Sequence, residues 1–155
     1  MSTAAKPLDC YMLLLASTRA AYLWFHAAHH LTSGAAFYGD HKAYSRQYEA
    51  YVKAFDSITE RGMLFCGDSI ASPVTTTRIA LDILGTLPPV AGSADEIAVG
   101  AVAVTRRVLS ELQTARSGLR QCGALTAGTE NLLSQLSDDQ EAALYQLRQR
   151  SRGGS

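Results

Sequence analysis

His29 and His41 lie twelve residues apart across the stretch HHLTSGAAFYGDH, and Asp56 and Glu60 follow with four-residue spacing. Imidazole nitrogen and carboxylate oxygen together suit iron or zinc with open coordination positions better than calcium or magnesium. At this stage the histidines admit three readings: a metal site, a pH-sensitive hinge, or aromatic packing at a helix junction. Asp56 and Glu60 admit two. On a helix they share a face and can grip one ion, or either can simply pair with Lys53 or Arg61. His26, one helical turn before His29, reads as a core or supporting group, and His30 as a surface or supporting imidazole. Asp40 and Glu49 are acids near His41, but neither projects squarely along its face.

The elements that must position these groups follow from apolar spacing. Leu8, Met12, Leu15, Tyr22, His26 and His29 recur at three- and four-residue steps after Pro7, a proline suited to a helix's first turn. Gly34 and Gly39 interrupt the pattern. Tyr44, Tyr48, Val52, Phe55 and Thr59 carry a second helix, which Gly62 closes as a C-terminal glycine. Ser93-Ala94-Asp95-Glu96 reads as a helix start whose acids complement the dipole. Helices are expected over 7–32, 38–61, 73–84, 94–121 and 128–150 of one domain spanning 1–155. Together they form an all-α four-helix bundle with a short extra helix in the crossover between helices 2 and 3. No segment alternates at period two, so no sheet is expected.

That layout separates the ligands. His41 and Asp56 fall 15 residues apart on one continuous helix, which at ~1.5 Å per residue separates them by roughly 22 Å. Both ends of one helix cannot hold one ion. If they share a site, helix 2 must lie antiparallel to its copy in another subunit, with a two-fold axis near mid-helix generating two equivalent sites.

Composition narrows the setting. Basic and acidic residues balance at 14 each, so no overall field draws nucleic acid or acidic lipid to the surface. Cys10, Cys66 and Cys122 are odd in number and far apart, which fits buried thiols in a reducing compartment rather than a disulfide framework. The apolar run from Cys10 to Leu31 is interrupted by Arg19 and three histidines, a poor membrane span and a poor signal peptide. A helix apolar around most of its circumference is buried on several sides, which in a chain this small points to subunits covering one another.

The joint spacing of His29, His41 and Asp56-Ser57-Ile58-Thr59-Glu60-Arg61, with Gly34 and Phe37 between the histidines, resembles the Dps-type miniferritins of the ferritin-like superfamily, the DNA-binding proteins from starved cells. The resemblance spans nearly the whole chain. It implies a hollow, cytoplasmic, nucleoid-associated dodecamer that oxidises Fe(II) with hydrogen peroxide and stores the ferric mineral. Its ferroxidase centres would take His29 and His41 from one subunit and Asp56 and Glu60 from its neighbour, with Glu60 bridging two irons and zinc as a non-redox occupant. The family places an aspartate four residues after the second histidine, where this chain has Ser45. A neutral serine is a weaker iron ligand, so the second iron position is expected to be weakened. Glu130 is the one evident acid for a threefold pore. Lys6, Arg148, Arg150 and Arg152 are the candidates for non-specific contact with DNA. The competing reading is a DNA-coating or metal-binding cage with little ferroxidase activity.

Overall fold

A computed structural model describes residues 6–152. Among them the chain forms helices α1 (Pro7–Leu31), α2 (Phe37–Cys66), α3 (Pro73–Leu84), α4 (Ala94–Gln121) and α5 (Ala127–Arg152), with a 3-10 helix at Gly67–Ala71. No strand is present among the described residues. α1 and α2 form one long antiparallel hairpin, α4 and α5 a second, and α3 lies in the connection between them, packed on α1.

α1 is the central element. Pro7 occupies its first turn, and residues around most of its circumference are buried against α2, α3 and α4. Trp24 and Phe25 are almost wholly enclosed, each burial contributing about 1.5–3 kcal/mol by transfer from water. The Trp24 indole also donates to the Pro88 carbonyl at 2.7 Å, which ties the α3–α4 connection to the core. Gly100 makes that contact possible, since a Cβ there would lie 2.8 Å from the indole ring. Two tyrosines that enter the core are paired across helices: Tyr51 donates to Gln140 at 2.6 Å, and Tyr11 shares a hydrogen bond with Thr129 at 3.2 Å. The buried Tyr44 and Ser17 hydroxyls, by contrast, have no hydrogen-bond partner among the described residues.

The helix starts follow the chemistry read from the sequence. Ser72 accepts from the Thr75 N–H and precedes Pro73 in α3. Ser93 and Glu96 form a reciprocal capping box at α4, which satisfies two otherwise orphaned donors. The Glu96 carboxyl is held below its usual range by the hydrogen bonds from Ser93.

One boundary differs from expectation. α2 does not stop at Gly62 but runs on to Cys66, where Gly67 at φ 60° turns the chain. Gly62 is buried inside the helix, and a Cβ on it would sit 2.8 Å from Ile70 Cγ1 and 3.4 Å from the Tyr11 ring. The glycine marks a close approach between α2 and the 3-10 helix, not a terminus. The other helix ends fall within about two residues of the expected positions.

Candidate metal centre

α1 ends at Leu31 and α2 begins at Phe37, so a five-residue turn joins them. Gly34, at φ 79°, supplies its left-handed step. Thr32 N–H donates back to Ala28 and Phe37 N–H to Gly34, which close the turn. The geometry places His29, in the last turn of α1, against His41, near the start of α2.

The two rings stack with centroids 3.6 Å apart and planes at 25°. Nδ1 of His29 lies 2.8 Å from the His41 carbonyl oxygen, and Nδ1 of His41 lies 2.9 Å from the His29 carbonyl oxygen. A carbonyl can only accept, so each Nδ1 carries the proton and donates. In the neutral rings the lone pair then resides on Nε2, the nitrogen left for a metal. The hydrogen bonds therefore fix both tautomer and ring orientation. Phe37 packs beside His41 at 5.0 Å, and Tyr48 meets His29 edge-on at 5.3 Å. His29 is buried and His41 half-buried.

Asp56 and Glu60 are exposed further along α2. Neither pairs with Lys53 or Arg61. The Arg61 guanidinium instead lies over Gly128, where a Cβ would fall within 2.6 Å of it. Among the described residues no three His, Cys, Asp or Glu side chains come together closely enough to hold an ion. The single chain thus unites His29 with His41 and leaves both carboxylates apart from them.

Ser45 stands one turn beyond His41, and its hydroxyl donates to the Lys42 carbonyl at 3.0 Å. Asp40 is not spare. Its buried carboxylate receives Arg150 Nε at 2.8 Å and Nη2 at 3.0 Å, with the Thr32 hydroxyl at 3.4 Å. Arg150 Nη1 reaches Asp95 at 2.7 Å. The hydrogen bonds to Asp40 are the main reason the Arg150 guanidinium is held even more firmly protonated than usual. This arginine, read from the sequence as a DNA contact, joins the end of α5 to the starts of α2 and α4. Lys6, Arg148 and Arg152 are exposed. Glu130 pairs with Arg116 at 3.3 Å near the start of α5. Glu49 is exposed on α2. His26 is exposed on α1, not in the core, and His30 is exposed as expected.

The Arg150–Asp40 link escaped sequence reading because its partners are 110 residues apart. The available signal was an acid in the first turn of α2 beside a histidine that needs a fixed backbone.

Two helical hairpins with a crossover helix define a ferritin-like four-helix bundle. No protein-family model matches the sequence, and no curated protein matches it. Solved structures do. Dps from Thermosynechococcus elongatus is 21% identical at TM-score 0.77, over 92% of this chain and 88% of that one. A Dps protein from Bacillus brevis is 20% identical at TM-score 0.78, over 96% and 97% of the two chains. Dps92 from Deinococcus radiodurans is 19% identical at TM-score 0.74, over 92% and 83%. Within the ferritin-like class, the fold is that of a Dps-type miniferritin. Among the described residues no helix is long and apolar enough to cross a membrane.

Proposed function

We propose that this protein is an iron-oxidising, iron-storing dodecameric cage whose oxidation centres form between two copies of α2. The observation that carries this reading is the reciprocal His29–His41 pair, in which each Nδ1 is engaged by the other residue's carbonyl oxygen and each Nε2 is left for a metal. A purely packing role for the imidazoles does not call for that arrangement.

Helix geometry supplies the rest. Asp56 lies roughly 22 Å and Glu60 roughly 28 Å along α2 from His41, at ~1.5 Å per residue. A two-fold axis near residues 48–49, midway between His41 and Asp56, carries the neighbour's carboxylates to the histidine end. Tyr48 and Val52 lie within about 20° of the His41 face at 100° per residue. Val52 is 54% exposed and Leu23 on α1 is 38% exposed, apolar surface that a second copy would cover. Fe(II) is the substrate. Two Fe(II) ions each give one electron to hydrogen peroxide, whose O–O bond breaks and which takes up two protons to leave as two waters. The imidazoles and carboxylates bind and orient the ions, with Glu60 bridging two of them and Asp56 beside His29. Ser45 offers a hydroxyl already committed to Lys42, so the second ion is held more weakly than the first. Zinc would compete without turning over.

The test follows ferric absorbance after Fe(II) and peroxide are added to apo-protein. His29→Ala/Glu60→Ala oxidising iron as fast as wild type would remove the assignment. A mixing experiment tests the shared site. Subunits carrying His29→Ala/His41→Ala are co-refolded with subunits carrying Asp56→Ala/Glu60→Ala. Random pairing makes half the two-folds hybrid and leaves half of their sites intact, so about a quarter of wild-type activity returns. No return above the parental variants would mean the ligands come from one chain.

A further inference from the structure

All four histidines gather at one end of the α1–α2 hairpin, and the pair described above uses two. His26 and His30 remain. They are four residues apart on α1, so they share a helix face, and both are exposed. Their ring centroids lie 4.9 Å apart with planes at 73°. Unlike His29 and His41, neither has a ring nitrogen engaged by a backbone or side-chain partner among the described residues. Within the chain the groups facing them are rings: Tyr22 stacks on His26 at 5.7 Å, Tyr48 meets it edge-on at 5.3 Å, and His29 lies 4.8 Å from His30. The nearest cation on the helix, Arg19, is drawn instead over the Tyr22 ring.

We propose that His26 and His30 form a second metal site, in which two imidazoles bind one first-row divalent ion and water fills its other positions. The spacing fits. An ion about 2.1 Å beyond each ligating nitrogen stands about 3.2 Å from each imidazole centroid. Ligand angles of about 90–110° then put the centroids about 4.5–5.2 Å apart, and the 4.9 Å between these rings falls inside that window. Two histidines one turn apart are a ready chelate for such ions. The two ligands this chain supplies here are both imidazoles, a donor set that disfavours calcium and magnesium. Because His30 adjoins His29, an ion held here waits one side chain from the inner pair. Its role as a staging position for Fe(II) rests on the function proposed above; the site itself does not.

Zn(II) alone is the probe, because it is redox-silent. Equilibrium dialysis is done on His29→Ala/His41→Ala protein, which lacks the inner imidazoles. One zinc per chain is expected to remain, and adding His26→Ala or His30→Ala is expected to weaken it at least about tenfold. No zinc bound in the parent background, or an affinity unchanged by His26→Ala, overturns the proposal. Diffraction at the zinc edge from wild-type crystals soaked in Zn(II) is the second measurement. An anomalous peak between the two rings supports the site, and its absence at a soak that fills the inner pair overturns it. A failure of iron oxidation leaves both measurements untouched.

Discussion

Replacing Arg150 with alanine leaves the Asp40 carboxylate, 4% exposed, without its two-pronged partner. Removing one member of a buried ion pair costs about 3–5 kcal/mol. Three features of this site reduce that figure. Arg150 itself is 23% exposed, the Thr32 hydroxyl still donates at 3.4 Å, and the positive end of the α2 dipole favours an acid in the first turn. The lost Asp95 bridge adds little, because that carboxylate is 53% exposed. A loss of about 2–3 kcal/mol follows. For a chain of this length that lowers the melting midpoint by roughly 5–10 °C, measured at matched protein concentration by circular dichroism. Arg150→Lys restores a charge but not the fork, and recovers only part of the loss. Arg148→Ala, on the exposed side of the same turn, is the control and stays within about 0.5 kcal/mol. If Arg150→Ala melts within about 1 °C of wild type, Asp40 is not held by this arginine and the reasoning fails. Asp40 immediately precedes His41, so the same variant also weakens Zn(II) binding at the stacked histidines.

Gly62→Ala gains about 1 kcal/mol of helix propensity but pushes a methyl against Ile70 and Tyr11, at an overpacking cost of about 1–3 kcal/mol. Urea denaturation of Gly62→Ala, Ile70→Ala and the double variant should give a coupling of at least about 0.5 kcal/mol, and strict additivity would remove the packing argument. Burial pushes the phenols of Tyr11, Tyr44 and Tyr51 above their usual value. Their folded pKa values exceed the unfolded ones, so this stabilisation is complete below about pH 10 and drains away as pH rises further. Tyrosinate absorbance of the native protein at pH 11 should lag that of the unfolded chain, and superposable titrations would contradict the burial. Ser45→Asp places a carboxylate one turn from His41, and stopped-flow iron oxidation should accelerate severalfold. An unchanged rate would mean that residue 45 does not face the second ion.

Helix positions were readable because each is decided locally, by apolar repeats at three and four residues and by caps such as Ser93 with Glu96. Gly62 was misread for a physical reason. A glycine in a helical run signals either a left-handed cap or a close approach, and the contact that decides, Ile70, belongs to the next element. Arg150 shows the same limit over a longer range. A basic C-terminal turn looks like dipole complementation or a phosphate contact, and only folding reveals Asp40 beneath it. The twelve-residue histidine spacing announced a pair across a turn, but not that each ring would fix the other's tautomer through a backbone carbonyl.

The carboxylate half of the proposed centre could be inferred only because α2 is rigid. A continuous helix from Phe37 to Cys66 keeps His41 and Asp56 apart whatever the side chains do. No rotamer change in one chain closes roughly 22 Å. In the proposed assembly the same rigidity lets an antiparallel α2 from a second copy return Asp56 to the His41 end. A flexible loop at either group would have removed that inference. Asp40 and Arg150 fasten the first turn of that helix to the end of α5.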